Sequence, residues 1–318
     1  MRTCLWAAHS NLAALKEEIY AEPARRRNRS RKLRGALHAS TMTIDKSSNA
    51  GGPETLLRAS GLCVRYARGG WLSQRRPVEA LRGVDLEIKA GSVVALVGVS
   101  GSGKSTLARC LACLERPTSG EIWFEGKNLV GLNQKELVPV RRNIQLIFQE
   151  PNASLNPRFT AVEIVSEPLL IAGLGTKREH RERALTLMDL VGLPAHLGSK
   201  LPFELSGGQQ RRLAIARALA LEPKLLVLDE ALTGLDLSTR AQISNLLLKL
   251  QELCALTYLC ISHDFSLVTH LADEVVVLDG GRIVEGGAPE LVASSRPSQP
   301  DGPPEATSKL SRLPVHLP

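Results

Sequence analysis

A glycine-rich stretch near residue 100 has the residue types with the clearest chemical meaning. It fits the pattern G-x-x-x-x-G-K-[ST], and its residues are Gly98, Val99, Ser100, Gly101, Ser102, Gly103, Lys104 and Ser105, followed by Thr106. The glycines permit backbone angles that aim successive N–H groups at phosphate oxygens. Lys104 would reach the β- and γ-phosphates, and the Ser105 hydroxyl would bind Mg²⁺. The stretch therefore predicts a phosphate-binding loop for ATP and Mg²⁺.

The elements around this loop fit the same prediction. Val93–Val97 is a short apolar run typical of a buried strand, and Lys104–Leu114 has the pattern of a helix. A helix that begins at the loop would add a favourable potential for an anion. The alternative is a glycine-serine loop with a chance lysine, which would need neither flanking element.

Two acidic residues follow a second apolar run. Leu225–Asp229 predicts a buried strand, which ends at Asp229 and is followed directly by Glu230. In sheets of this kind such ends lie beside the phosphate-binding loop. Asp229 would hold Mg²⁺ directly or through water, and Glu230 is placed to polarise an attacking water. Taken alone the pair is ambiguous, because acidic residues also end strands at ordinary turns.

A third segment carries a family resemblance. Residues 205–211 read Leu-Ser-Gly-Gly-Gln-Gln-Arg, which resembles the signature motif of the ABC-type ATPases. Its Ser-Gly-Gly part opens a predicted helix, Gly207–Leu219, whose first N–H groups would form a second anion site. An ordinary helix cap is the alternative. The resemblance implies that two subunits pair head to tail and that the signature of one closes on the γ-phosphate held by the other, through Ser206, Gly207, Gly208 and Gln209.

Smaller matches to the same family follow along the chain. Gln149 resembles the Q-loop glutamine, which senses Mg²⁺ and faces the permease. Asp236 resembles the D-loop aspartate, and His263 resembles the switch histidine that contacts the γ-phosphate. Tyr66 is the aromatic side chain that we expect to stack on adenine, with Trp71 as the alternative. The resemblance implies a catalytic set and a Mg²⁺-binding set: Glu230, His263, Gln149 and Lys104 for the first, and Ser105, Gln149 and Asp229 for the second.

Strands and helices alternate along the chain and would position these residues. The other predicted strands are Leu56–Tyr66, Val84–Ile88, Ile144–Phe148, Thr257–Ile261 and a hairpin of Glu274–Leu278 with Arg282–Glu285. The other predicted helices are Ala161–Ala172, Lys177–Val191 and Ser238–Leu253. Such alternation implies a largely parallel sheet. With the resemblance, it predicts an α/β fold: a P-loop NTPase (RecA-like) core, an antiparallel β subdomain and an inserted α-helical subdomain at about residues 150–215.

The positive charge of the chain is concentrated near its start. The formal net charge is +8, and residues 1–41 contain nine basic and three acidic residues, so the remainder is nearly neutral. We therefore expect no nucleic-acid partner. Residues 1–54 are expected to be a basic, disordered extension, with a surface anchor, a transit peptide or a later start at Met42 as alternatives. The ATP-binding domain is expected at 55–293, followed by a disordered, proline-rich tail at 294–318.

Two cysteines on the helix after the loop form a C-x-x-C pair, Cys110 and Cys113. Such a pair is compatible with redox or zinc chemistry. The chain has no second C-x-x-C, and small apolar residues pack on a helix in this position. We therefore expect reduced thiols with a packing role.

Further resemblance narrows the family to one of its subgroups. Residues 148–158 read Phe-Gln-Glu-Pro-Asn-Ala-Ser-Leu-Asn-Pro-Arg and resemble the Q-loop of the dipeptide, oligopeptide and nickel importers. Residues 233–236 depart from the family, since they read Thr-Gly-Leu-Asp where Ser-Ala-Leu-Asp is usual. The tail also lacks the His-Pro-Tyr-like stretch of many peptide importers. The resemblance implies an ATPase subunit that energises an importer of peptides, nickel or a related small solute.

The assembly implied by the resemblance has several partners. No apolar run approaches the ~18–20 residues that span a bilayer, so a membrane role would need a separate partner. The implied partners are transmembrane permease subunits, a second ATPase subunit that is identical or homologous, and, indirectly, a solute-binding protein. The implied location is peripheral, at the cytoplasmic face of the inner membrane.

Two other functions are open at this point. A soluble ABC ATPase that acts on ribosomes or DNA usually carries two cassettes or a long coiled-coil insertion. This chain has one cassette, with 101 positions from Ser105 to Ser206 and no sustained heptads. A P-loop kinase would not need the signature segment.

Overall fold

The computed structural model describes residues 54–66, 77–149, 154–265 and 270–295. The expected extension up to residue 53, the tail beyond residue 295 and Trp71 lie outside these ranges, and the expected division into one domain with two disordered ends stays a prediction. No helix within the described ranges has the length and apolar character needed to cross a membrane.

Ten strands in the described residues form two sheets. The first sheet is antiparallel, with order β2-β1-β4-β5 and the bounds β1 Thr55–Tyr66, β2 Val78–Lys89, β4 Ser119–Phe124 and β5 Lys127–Asn128. The second has order β10-β9-β3-β8-β7-β6, with the bounds β3 Val93–Val97, β6 Ile144–Ile147, β7 Leu225–Asp229, β8 Thr257–Ser262, β9 Glu274–Asp279 and β10 Arg282–Gly287. All neighbours in the second sheet are parallel except β9 and β10. The predicted α/β fold with a largely parallel sheet is confirmed.

Seven α-helices lie in the described residues: α1 Lys104–Leu111, α2 Gln134–Asn143, α3 Ala161–Ile171, α4 Lys177–Leu190, α5 Gly207–Leu219, α6 Leu237–Cys254 and α7 Pro289–Ser295. Helices α3, α4 and α5 pack against one another. With two short 3₁₀ turns, Ala195–Ser199 and Pro202–Glu204, they form what we call the helical lobe.

Four elements have no counterpart in the sequence prediction: β4, β5, α2 and α7. Their sequence signals are weak. Strand β4 buries only Ile122 and Phe124. Helix α2 contains Pro139 and buries only Leu137 and Val140. Such segments show too little hydrophobic periodicity to stand out.

The six-stranded sheet is buried on both faces, as parallel sheets require. Along β3, Val93, Ala95 and Val97 face a hydrophobic cluster that includes the helical lobe and α6. The alternate residues Val94 and Leu96 face a second cluster, which includes α1 and the antiparallel sheet. The alternation of side chains along one strand thus joins the two halves of the core.

The turn between β9 and β10 contacts the phosphate-binding loop. Gly280 and Gly281 have φ angles of 51° and 81°, as a two-residue type I′ hairpin needs. The Gly281 N–H donates to the Ser102 carbonyl at 3.0 Å, and the Arg82 N–H donates to the Gly281 carbonyl at 2.8 Å. The hairpin therefore braces the loop against β2.

Gly281→Ala should lower Tm more than the matched change Gly280→Ala. Both positions carry the cost of a positive φ, but only a Cβ on Gly281 meets backbone, 2.8 Å from the Ala80 carbonyl oxygen. Overpacking costs ~1–3 kcal/mol, and each kcal/mol lowers Tm by ~2–4 °C for a domain of this size. Thermal unfolding of both variants tests this, and equal losses would contradict it.

Candidate functional site

The phosphate-binding loop lies between the end of β3 and the start of α1. Gly101 and Gly103 have φ angles of 80° and 109°, in the left-handed region that favours glycine. A Cβ on Gly98 would lie 2.1 Å from the Leu278 carbonyl oxygen, so this position also requires glycine. Helix α1 has no side-chain cap, which leaves its first N–H groups available to an anion.

The other loop residues differ in exposure. Val99 is exposed, whereas Ser102 is buried and its N–H donates to the Val99 carbonyl at 3.2 Å. The Ser102 hydroxyl has no hydrogen-bond partner among the described residues. Ser100 is exposed and Thr106 is buried on α1. The loop thus presents one side to solvent and anchors the other in the core.

Lys104 is held over the loop. It is only 6% exposed, and its Nζ donates to the Gly98 carbonyl at 2.7 Å and to the Val99 carbonyl at 2.9 Å. Burial lowers the pKa of Lys104, while the charges of Glu230 and Asp229 act in the opposite direction. An ammonium has three donors, so one remains for a phosphate oxygen.

Ser105 and Asp229 form an oxygen pair beside Lys104. The Ser105 hydroxyl donates to Asp229 Oδ1 at 3.3 Å. Asp229 is 9% exposed, and burial raises its pKa, with the Ser105 hydrogen bond as the largest opposing effect. Oxygen ligands suit Mg²⁺, which keeps several waters and takes substrate phosphates with one or two carboxylates. The described residues contain no group of three or more His, Cys, Asp or Glu side chains that could hold a metal ion.

Glu230 is the most constrained residue of the site. Its φ of 48° is left-handed, and its N–H donates to the Ile261 carbonyl at 3.0 Å. Its carboxylate accepts from Gln149 Nε2 at 2.7 Å and lies 3.2 Å from His263 Nδ1. A non-glycine residue in this region costs ~1–3 kcal/mol. The strain, the amide and the imidazole together fix one carboxylate at the carboxyl edge of the sheet.

The signature segment forms a capping box at the start of α5. The Ser206 hydroxyl accepts from the Gln209 N–H at 3.3 Å, and Gln209 Oε1 accepts from the Ser206 N–H at 2.9 Å. Ser206 and Gly207 are exposed, and a Cβ on Gly208 would lie 2.8 Å from a methyl group of Thr239. No hydrogen bond among the described residues joins this corner to the phosphate-binding loop. The helix cap is therefore present, and in the ranges that the structure describes the phosphate-binding loop of the same chain makes no hydrogen bond to it.

Asp236 caps helix α6 within the same chain. Its carboxylate accepts from the Thr239 N–H at 2.8 Å. The hydrogen bond with the Thr239 side chain, followed by that with its backbone, lowers the pKa of Asp236. The residue thus has a local structural role beside any role at a subunit boundary.

Tyr66 ends β1 next to α1. Its hydroxyl donates to Thr106 Oγ1 at 3.3 Å and accepts from Arg109 Nη2 at 3.4 Å. These contacts place the phenol beside the helix that follows the phosphate-binding loop. Stacking on adenine stays a prediction.

The C-x-x-C pair is buried on and just after α1, with both thiols free. Burial raises the pKa of Cys110 to about 12 and that of Cys113 to about 11. Thiols of this kind are protonated and unreactive at neutral pH. The burial of both thiols and their raised pKa values favour the packing role over redox or zinc chemistry.

Arginines of α5, among them Arg211 and Arg217, make contacts that no motif predicts. Arg211 Nη1 donates to the carbonyls of Phe148 at 3.2 Å and Gln149 at 2.9 Å. Arg217 Nη1 donates to the Ser154 carbonyl at 2.8 Å. Arg211 lies within the signature segment, but its contacts depend on how α5 packs against β6. The one available sequence signal is the positive charge of these side chains.

Comparison with known proteins places these features in one family. Residues 81–233 match the family model described as ABC transporter. The dipeptide transport ATP-binding protein DppF of Haemophilus influenzae is 43% identical over 76% of this chain and 74% of that protein. The putative oligopeptide transport ATP-binding protein YkfD of Bacillus subtilis is 44% identical over 72% of this chain and 69% of that protein. A dimeric post-hydrolysis structure of the ATP-binding cassette MJ0796, bound to ADP and Pi, has a TM-score of 0.66 at 34% identity and covers 73% of this chain and 98% of that chain.

Asp229→Asn should raise thermal stability at neutral pH without nucleotide. Burial raises the pKa of Asp229 above its ordinary 3.8, so the folded state holds its proton more tightly than the unfolded state does. Stability from this group is then present at low pH and is lost as pH rises through the folded pKa. The Tm advantage of the variant should shrink from about pH 7.5 to about pH 4.5 in a thermal-shift series.

The matched variant Asp236→Asn should show the opposite sign. The lowered pKa of Asp236 means that its contribution is present above the unfolded pKa and is lost as pH falls. An Asp229→Asn protein that is less stable than the parent at neutral pH would contradict the account of Asp229.

Proposed function

Because the chain belongs to the family of ABC transporter ATP-binding proteins, we propose that it hydrolyses ATP to energise an importer of peptides. The observation that carries this proposal is the Glu230 carboxylate, held between Gln149 and His263 beside the Ser105–Asp229 pair. The printed names of two relatives, a dipeptide and an oligopeptide transport ATP-binding protein, support peptides as the cargo. Nickel or a related small solute is the broader class.

ATP would bind through its phosphates at the loop of residues 98–105. The backbone N–H groups at the start of α1 and the remaining donor of Lys104 are available for phosphate oxygens. Ser105, Asp229 and the amide oxygen of Gln149 would hold Mg²⁺, which when bound offsets the negative charge on the β- and γ-phosphates. Tyr66 would lie against the adenine, next to Thr106.

Hydrolysis would be in-line transfer of the γ-phosphoryl group to water. Glu230 would accept a hydrogen bond from the attacking water and polarise it. Gln149 keeps the carboxylate in one orientation, and His263, whose Nδ1 faces Glu230, has Nε2 left for the γ-phosphate. Lys104 would counter the charge that develops on the phosphoryl oxygens.

A second ATPase subunit, identical or homologous, would complete the site. Ser206 and Gly207 are exposed at the start of α5 and make no hydrogen bond to their own phosphate-binding loop. The partner's copy of this segment, with Gly208, Gln209 and Asp236, would close on the γ-phosphate. The dimeric MJ0796 cassette supports this arrangement, since it is a structural neighbour with ADP and Pi bound.

A groove beside Gln149 is the surface that would receive the permease. It has a volume of about 400 Å³ and lies between the sheet edge at β6 and the helical lobe. Its lining includes four exposed apolar side chains, Leu114, Val138, Phe148 and Ile171. Phe148 precedes Gln149 directly, and Gln149 donates to the Glu230 carboxylate. An apolar segment of a permease that contacts Phe148 would therefore be linked to Glu230 by these two consecutive residues. A solute-binding protein would act on the permease, at the opposite side of the membrane from this subunit.

The competing functions gain no support from these findings. The printed names of the relatives are those of transport proteins, which does not favour a role on ribosomes or DNA. A P-loop kinase would need an acceptor site, and the features around Glu230 are suited to water.

Glu230→Gln should abolish turnover and leave ATP binding intact. Loss of a general base costs ~10²–10⁴-fold in rate, and the amide keeps the size of the side chain. Phosphate release at saturating ATP measures the rate, and fluorescent-nucleotide titration measures the affinity. The matched control is Glu222→Gln, since Glu222 also has a positive φ, 53°, but pairs with Arg183 at 2.5 Å. Near-normal phosphate release by Glu230→Gln would make the base assignment wrong.

Ile171→Glu should block assembly with the permease and spare the ATPase activity of the isolated subunit. A carboxylate in a buried apolar contact is costly, and Ile171 is 77% exposed, so the isolated subunit should tolerate it. Val284→Glu on β10 is the control, because Val284 is exposed but outside the groove. Co-purification of each variant with co-expressed permease subunits gives the readout. Retention of the permease by Ile171→Glu would contradict the docking surface.

A further inference from the structure

Arg211 is a buried charge whose structural environment does not explain it. The residue is only 4% exposed on α5, and no carboxylate among the described residues pairs with it. Its Nη1 donates to two main-chain carbonyls, whereas its buried Nε has no hydrogen-bond partner in the part of the chain that the structure describes. Burial alone lowers the pKa of Arg211. Burying a guanidinium without a counter-charge is costly, and an apolar side chain of similar length would avoid that cost.

The two carbonyls that Arg211 binds belong to Gln149, which contacts Glu230, and to Phe148, which precedes it. Arg211 Nη1 lies 3.2 Å from the Phe148 oxygen and 2.9 Å from the Gln149 oxygen. The side chain of the same Gln149 donates to Glu230 Oε2 at 2.7 Å. One residue is therefore held at its main chain by α5 while its side chain holds the carboxylate.

Another arginine of α5, Arg217, makes a different kind of contact. Arg217 donates to the Ser154 carbonyl at 2.8 Å and pairs with Glu167 of α3 at 3.0 Å. Its charge is thus compensated, as is usual for a buried or half-buried ion. Within the described ranges, Arg211 has no such counter-charge and donates only to the main-chain carbonyls of Phe148 and Gln149. This indicates a role in fixing the position of those two residues.

We propose that Arg211 is a positioning residue for ATP hydrolysis, which acts by fixing the Gln149 main chain so that its amide orients the Glu230 carboxylate. The proposal rests on the proposed function, because it needs Glu230 to act on water. Arg211 itself touches neither nucleotide nor water in this mechanism. Because Ser206 starts the same helix, Arg211 also ties the signature segment to the hydrolytic carboxylate of its own subunit.

A double-mutant cycle on the full chain tests this route. The variants are Arg211→Met, Gln149→Ala and the double variant, and the readouts are kcat and KM for phosphate release with ATP and Mg²⁺. Misplacement of a catalytic group can cost ~10²-fold. We therefore expect each single variant to lose about tenfold or more in kcat, with KM changed less than about threefold. If Arg211 acts through Gln149, the double variant should be no slower than the slower single variant.

The controls separate positioning from general stability. Arg183→Met removes a helical-lobe arginine that also has a buried, unpartnered Nε, but which pairs with Glu222, and it should keep kcat within about twofold. Arg211→Lys keeps a donor for one carbonyl and should recover part of the lost kcat. If Arg211→Met does not fold, the lysine variant takes its place in the cycle. Wild-type kcat in Arg211→Met, or rate losses that multiply in the double variant, would overturn the proposal.

The same measurements distinguish a failure of the proposed function from a failure of the role assigned to Arg211. A wild-type protein without ATPase activity, or an active Glu230→Gln variant, would overturn the proposed function and this route with it. An active wild type, an inactive Glu230→Gln and a fully active Arg211→Met would overturn the role of Arg211 alone.

Discussion

The carboxyl edge of four parallel strands is the constraint on which the site depends. These strands are followed or ended by the residues with proposed chemical roles: Gly98 after β3, Gln149 after β6, Asp229 and Glu230 at β7, and His263 after β8. Parallel strands present their carboxyl ends on one side of a sheet. Residues up to 124 positions apart in the chain therefore meet there, with Gln149 2.7 Å from Glu230 and Ser105 3.3 Å from Asp229.

Two tertiary contacts hold the backbone at this edge. The turn of β9 and β10 donates from the Gly281 N–H to the carbonyl of Ser102 in the phosphate-binding loop. Helix α5 donates from Arg211 to the Phe148 and Gln149 carbonyls. Each contact joins a glycine or an arginine to main-chain oxygens, so it fixes backbone and leaves the reactive side chains free.

The sequence predicted the elements with strong periodicity and missed those without it. Val93–Val97, Gly207–Leu219 and Leu225–Asp229 have the predicted bounds, because each is an apolar run or begins at a glycine or serine cap. Strand β4 and helix α2 bury too few side chains to give a pattern. The partners of Arg211 and the cap formed by Asp236 depend on packing and local geometry, which a motif does not encode. Motifs found the chemical groups, but not the contacts that orient them.

The central claim is that this edge of the sheet hydrolyses ATP with Mg²⁺ and passes the phosphoryl group to water. The most direct measurement is phosphate release by the purified chain, titrated with Mg²⁺ and then with a chelator, with the products separated. The account predicts release that rises with Mg²⁺, stops in the chelator and yields only ADP and inorganic phosphate. Equal release in the chelator, or a phosphorylated acceptor other than water, would contradict it.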